Sequence, residues 1–311
     1  MPVGTQATVK GLTPRDLVAI GTTCLLANAY HLLLRPGEHV VAQAGGLHSF
    51  MGWDRSTFKS HLDGETRTLT PERAMEVQAA LGSDIAMVLD VCPPYPCGPA
   101  ELSDATHLTT RWASRALSAP HAAGQGVFGI VQGGVDLALR DASARSLAEL
   151  PFDGFGIGGL SVGEPRAQTW PALDASVKPL PEGRPRYLMG VGAPSDLLEA
   201  IVRGVDLFDC VLPTRLGRHG AVLTPHGRLD LHRGSAAADG SPLDPGCDCP
   251  ACTQFPVTYL RHLVRSGEDL GLRLASLHNL RFLTRLVERA RGAIVNGTFR
   301  SFVEEHRALS R

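Results

Sequence analysis

Phe128-Gly129-Ile130-Val131-Gln132-Gly133-Gly134 is a short apolar run that ends in an amide side chain and two glycines. An apolar run of this length, closed by turn signals, suits a strand buried on both faces. The pattern recurs along the chain. Candidate strands are Met1–Gly4, Thr23–Ala27, Asp84–Leu89, Val127–Val131, Gly154–Ile157, Arg186–Gly190 and Leu207–Val211, with helical periodicity between them. Thr70 followed by Pro71 opens one helix, which Gly82 closes; Ser195 is expected to cap another over Asp196–Arg203 that stops at Gly204. Strands alternating with helices predict a parallel α/β protein. Polar or glycine residues stand at the strand ends: Asp90, Gln132, Gly158-Gly159, Met189-Gly190 and Asp209. A (β/α)8 TIM barrel gathers such residues at one mouth, and an open doubly wound sheet is the competing arrangement.

The barrel wants eight strands and the pattern supplies seven. The interval from Tyr30 to Asp84 is long for one crossover, yet it holds only polar, turn-rich text around His48–Asp54 and Lys59–Gly64. One wall strand is missing. The opening Met1-Pro2-Val3-Gly4-Thr5 resembles the end of a strand entering a turn, as though a leading segment were absent.

Composition narrows the class. The 311 residues carry 43% hydrophobic and 20% charged residues and a formal net charge of −1, which disfavours a protein that coats nucleic acid broadly. Charge is uneven, however: from Val257 to Arg311 there are ten arginines against five acidic residues. A basic end on a neutral body suits docking of one polyanion at one place, although a solvated helix face would look the same. Seven cysteines without a framework pattern favour a reducing, cytoplasmic setting. No signal segment opens the chain, and no apolar run approaches the ~20 residues that span a membrane.

Cys247-Asp248-Cys249-Pro250-Ala251-Cys252 places three thiols on one knuckle. Tetrahedral Zn2+ takes four N or S ligands, and His278, in the next apolar-periodic segment, is the natural fourth. Four protein ligands leave no open position, so the zinc is expected to be structural. Free or disulfide-bonded cysteines are the alternative. Ala221–His232 predicts a hairpin around Pro225-His226-Gly227, and Leu277, Leu280, Leu283, Leu286 and Val287 form a helical stripe suited to core packing. We divide the chain into a barrel over 1–225, a hairpin and zinc-binding subdomain over 226–278, and C-terminal helices over 279–311 packing back on the barrel.

Phe208-Asp209-Cys210-Val211-Leu212-Pro213-Thr214-Arg215 holds the sharpest catalytic candidate. An aspartate at a strand mouth can act as a base or as a nucleophile, and an anionic nucleophile suits an oxocarbenium-like centre at an anomeric carbon. Asp90 can accept two hydrogen bonds from the N–H edge of a guanine-type base, and Gln132 offers both a donor and an acceptor. Any one strand-end aspartate could equally cap a loop or form an ion pair. The glycines of Gly156–Glu164 do not match a dinucleotide fingerprint and better suit close approach to a flat ligand. Met189 could pack on a ring face, while Arg215 and Arg218 could clamp phosphates.

Met1–Thr5, Asn28–Leu32, Gly46–Arg55, Phe58–Gly64, Phe208–Arg215 and the cysteine knuckle together closely resemble the bacterial tRNA-guanine transglycosylase (queuine tRNA-ribosyltransferase) family, over nearly the whole chain. The resemblance implies a barrel with a zinc subdomain. It also implies a pentosyltransferase of queuosine biosynthesis that exchanges guanine for a 7-deazaguanine base (preQ1) at the wobble position of tRNA, working as a cytoplasmic homodimer. By the same resemblance Asp209 is the catalytic nucleophile that holds the ribose. Asp90, Gln132, Gly159 and Leu160 bind the base with Met189 beneath it. Cys247, Cys249, Cys252 and His278 match the zinc ligands. Val162 matches the bacterial preference for preQ1.

One departure concerns the chemistry. The family carries T-D-S-G-G-[FY]-Q, whose aspartate is its general acid/base, between the blocks that here end at Arg55 and begin at Phe58. That motif coincides with the missing strand. Residues left out between Arg55 and Ser56 would restore both, and that is the expectation. A true join would leave the barrel open beside the strand ending at Asn28. It would favour a catalytically disabled, tRNA-binding or dimer-forming relative. A weaker alternative is a transglycosylase for another nucleic acid or another deazapurine.

Overall fold

A computed structural model of the chain describes residues 1–53, 69–233 and 240–306. The Arg55–Ser56 junction and the Phe58–Gly64 block lie outside the described residues.

Five parallel strands form the central sheet in the order β1 (Ile85–Met87), β2 (Gly126–Val131), β3 (Gly154–Ile157), β4 (Arg186–Leu188) and β5 (Leu207–Phe208). Each successive pair is joined through one helix: Pro99–Ser118, Leu137–Ala148, Arg166–Val177 and Pro194–Val202. Beyond β5 the wall continues through isolated parallel bridges, Pro2 to Cys210 and then Val3 to Leu26. The sheet therefore curls as a barrel wall does. The expected strands at Met1–Gly4 and Thr23–Ala27 contract to these bridges, partly because Pro2 has no N–H to give a ladder. Leu26 N–H still donates to Pro2 O at 2.9 Å.

Among the described residues no ladder joins Leu26 to β1, which is where the eighth strand would stand. The edge of β1 is instead satisfied by a side chain. Gln78 is buried, and its Nε2 donates to Met87 O while its Oε1 accepts from Met87 N, both at 2.9 Å. An amide side chain offers the same donor and acceptor as a strand backbone, so Gln78 answers Met87 as a neighbouring strand would.

Period-2 alternation explains the barrel interior. Gly154 and Gly156 of β3 and Gly158 just beyond its end share one face, and a Cβ added at each would collide with Phe128, Met87 and Gln132 respectively. The glycines therefore make the volume that lets those side chains project inward. Phe155 and Ile157, on the other face, are buried against the surrounding helices.

The helix Pro71–Leu81 begins and ends as its punctuation predicts, with Thr70 Oγ1 accepting from Arg73 N and Gly82 left-handed at its close. Ser195 is a correction. Pro194 takes the first helical position, so Ala193 is the cap and Ser195 lies inside Pro194–Val202.

The antiparallel hairpin of β6 (Ala221–Thr224) and β7 (Gly227–Asp230) turns at Pro225-His226 as expected. One helix, Asp269–Val295, then binds the parts together. Its buried Asn279 accepts from Leu223 N and donates to Pro213 O and Ala221 O. Gly217 allows the short Leu212–Arg218 helix to lie directly against the backbone at Ser276, where any side chain would collide. Leu277, Leu280, Leu283 and Leu286 are buried, so the apolar stripe packs the core.

Candidate functional site

The carboxyl ends of the strands open into a cavity of about 1360 Å³. It is lined by Asp90, Gln132, Gly159, Leu160, Met189 and Asp209, so these six sequence candidates converge on one space, with Val162 also on its wall. Arg215 and Arg218 do not line it. They lie on the Leu212–Arg218 helix that follows β5, the first exposed and the second half-buried.

Asp209 stands one residue beyond β5 and is 9% exposed. Its Oδ1 accepts two hydrogen bonds, from Tyr187 O–H at 2.6 Å and from Gly190 N–H at 2.8 Å. Both donors fall on one oxygen, which fixes the carboxylate plane. Tyr187 is buried in β4, and its pKa is raised well above the usual phenol value, first by burial and then by the Asp209 charge. It therefore remains a protonated donor. Sequence patterning missed Tyr187 because it sits inside an apolar run that suggested only core.

Asp90 and Gln132 meet at the ends of neighbouring strands. Gln132 Nε2 donates to Asp90 Oδ2 at 2.7 Å, which sets the orientation of the amide. Its Oε1 is buried with no hydrogen-bond partner, as is Nη2 of Arg140 close behind it. Gly159, left-handed at φ +66°, brings its backbone against Gln132 Oε1 so closely that a Cβ there would collide with the amide. Glu164 pins the next turn by accepting from Ser161 N at 2.6 Å, Val162 N at 2.9 Å and Thr169 Oγ1 at 2.8 Å. Burial works against its ionised form, yet these donors outweigh it and hold the pKa below the ordinary glutamate value. Neither Arg140 nor Glu164 stood out in the sequence, since Arg140 lies within a charged helical pattern and Glu164 just ahead of the Arg166–Val177 helix.

Cys247, Cys249, Cys252 and His278 come together with all four ligand atoms within 4.8 Å of one another, and all four residues are buried. His278 Nδ1 faces Cys252 Sγ at 3.2 Å and Cys249 Sγ at 3.6 Å, near the ~3.5 Å separation of S and N ligands around one tetrahedral zinc. His278 Nε2 lies 2.7 Å from Leu223 O. Donation of the Nε2 proton there leaves the Nδ1 lone pair for a metal. The donor set fits Zn2+. It is enclosed by Val222, Leu231, Leu243, Leu260 and neighbouring apolar side chains, so a metal here would tie hairpin, knuckle and long helix into one unit.

A family model described as queuine tRNA-ribosyltransferase matches residues 1–310. The chain is 49% identical to the queuine tRNA-ribosyltransferase of Pelotomaculum thermopropionicum, over 98% of this chain and 89% of that protein. It is 50% identical to the protein of the same name from Desulforudis audaxviator, with the same coverage of each chain. The similar protein of Herpetosiphon aurantiacus is 49% identical over 98% of this chain and 84% of its own length. The first alignment runs over 329 residues, longer than the 311 of this chain, so that relative carries residues inside the aligned span that this chain lacks.

Proposed function

The chain belongs to the queuine tRNA-ribosyltransferase family, and from that premise we propose that it is a tRNA-guanine transglycosylase that exchanges guanine for preQ1 through Asp209. The observation that carries this reading is the Asp209 carboxylate, held on one oxygen by Tyr187 and Gly190 and sharing a cavity with the Asp90–Gln132 pair.

Asp209 Oδ2 attacks C1′ of the wobble guanosine. The C1′–N9 bond breaks, guanine leaves with the bonding electrons, and the ribose remains esterified to Asp209. N9 of the incoming 7-deazaguanine then attacks C1′, the C1′–Oδ2 bond breaks to release the carboxylate, and the proton given up by N9 balances the one the departing guanine anion takes up. A charge so close to C1′ stabilises the oxocarbenium character of both transition states. Asp90 accepts from the N–H edge of the base, and the Gln132 amide and the Gly159 backbone face its carbonyl. Leu160 and Met189 pack on the ring, and Arg215 and Arg218 bind phosphates outside the cavity. Zinc would be held by Cys247, Cys249, Cys252 and His278 and would supply folding energy, since four protein ligands close its shell. The same proposal includes a homodimer and a cytoplasmic location.

The catalytically disabled relative keeps one specific observation in its favour. The acid/base motif is absent from the sequence, and an aligned relative carries internal residues that this chain lacks. Incubation of the purified chain with labelled guanine and a tRNA bearing guanine at the wobble position separates the two. Label entering the tRNA supports exchange; tRNA binding without incorporation supports the disabled reading.

A further inference from the structure

Arg140 is fully buried near the start of the Leu137–Ala148 helix, behind the base end of the cavity, and among the described residues no carboxylate forms an ion pair with it, although the charge of Glu164 acts on it through space. Its Nε donates to Gly134 O at 2.7 Å, and Nη1 donates to Gly158 O at 2.8 Å and Val131 O at 3.3 Å. Nη2 has no partner. A buried, unpaired guanidinium is destabilising, and burial pushes its pKa down to about 10, so it remains charged at neutral pH. An apolar side chain would be cheaper to bury but would take this donor from the Gly134, Gly158 and Val131 carbonyls. The cation therefore calls for a role beyond packing.

The carbonyl bonded at 2.8 Å suggests that role. Gly158 C=O and Gly159 N–H belong to the same peptide plane, and in a trans peptide they point in opposite directions. With Arg140 on the carbonyl side, the Gly159 N–H is directed away from it, toward the cavity that Gly158 and Gly159 line. No acceptor for that N–H occurs among the described residues. A cation on the oxygen draws electron density through the amide and makes the N–H a stronger donor, in the way hydrogen bonds polarise one another along a chain.

We propose that Arg140 is a positioning residue of the base pocket, holding and polarising the Gly158–Gly159 peptide so that the Gly159 N–H selects a ring carbonyl on the bound base. This rests on the proposed function in one respect, that the cavity takes a guanine-type base. The buried charge sits beneath the place where the carbonyl oxygen arrives, so its field favours the most electron-rich acceptor.

The test measures dissociation constants of guanine and of 6-thioguanine, which keeps the N–H edge but replaces the carbonyl with a weaker acceptor. Wild type is compared with Arg140→Met and Arg140→Lys, each checked for thermal stability and zinc content. Wild type should prefer guanine. Arg140→Met should lower that preference by about tenfold, the scale of one charge-assisted hydrogen bond, and Arg140→Lys, which keeps the charge, should recover part of it. If Arg140→Met does not fold, a preference in Arg140→Lys lowered severalfold is the supporting result. A preference unchanged in every folded variant, or a loss equal for both bases, overturns the role of Arg140 while leaving the pocket assignment standing. Wild-type protein that binds neither base overturns both.

Discussion

Tyr187→Phe removes one oxygen atom from the centre of the proposed site and leaves the ring in the barrel core, where Tyr187 packs among Met87, Phe128 and Phe155. The lost contact is the 2.6 Å hydrogen bond to Asp209 Oδ1. After the change Gly190 N–H, at 2.8 Å, is the remaining donor to that oxygen. A hydrogen bond to a charged group is worth ~1.5–3 kcal/mol. Tyr187 serves the nucleophile and lies behind the atom that attacks, so the loss should fall on the chemical step and spare tRNA binding. The expected effect is a slowing of covalent tRNA adduct formation by about ten- to a hundred-fold. The assay is single-turnover adduct formation with saturating tRNA, read on a denaturing gel, beside a filter-binding measurement of tRNA affinity. An adduct rate within twofold of wild type in a variant that folds normally would refute the claim that Tyr187 orients Asp209. A parallel loss of tRNA affinity would refute it equally.

Chelation of zinc should lower the melting temperature and raise hydrogen exchange first in the β6–β7 hairpin and the Cys247–Cys252 knuckle, because the three cysteines that would hold the metal sit inside that apolar cluster; uniform loss of protection through β1–β5 would contradict a local structural site. Glu164 should give an acid-side signature. Its folded pKa lies below the ordinary 4.5, so its contribution is present above that value and is lost as pH falls through the folded pKa. Melting temperature followed from about pH 6 to about pH 3 should therefore fall more steeply for wild type than for Glu164→Gln, and parallel curves would count against this anchor.

Much of the barrel is legible in the sequence because buried parallel strands are short apolar runs, and Val127–Val131 and Gly154–Ile157 reappear within a residue of their expected bounds. The strand-end polar residues were equally visible, since a polar group that closes an apolar run has few structural reasons to be there. Ser195 misled because a serine before a helical pattern resembles a cap, while Pro194 had already taken the first helical position. Tyr187 was hidden by its own hydrophobicity. Arg140 was hidden because the helix pattern around it resembles a solvated face, and only the tertiary arrangement buries it. Gln78 follows the same logic: its work depends on an edge of β1 that sequence periodicity does not reveal.

The central claim is that Asp209 forms a covalent bond to tRNA ribose. The most direct measurement is the intact mass of the protein after incubation with wobble-guanine tRNA and quenching in denaturant, for wild type and for Asp209→Asn. The account predicts a denaturant-resistant adduct of protein plus tRNA less guanine in wild type, and none in Asp209→Asn although that variant still binds tRNA. A wild-type chain that binds tRNA but forms no adduct, or an adduct that survives in Asp209→Asn, would contradict it.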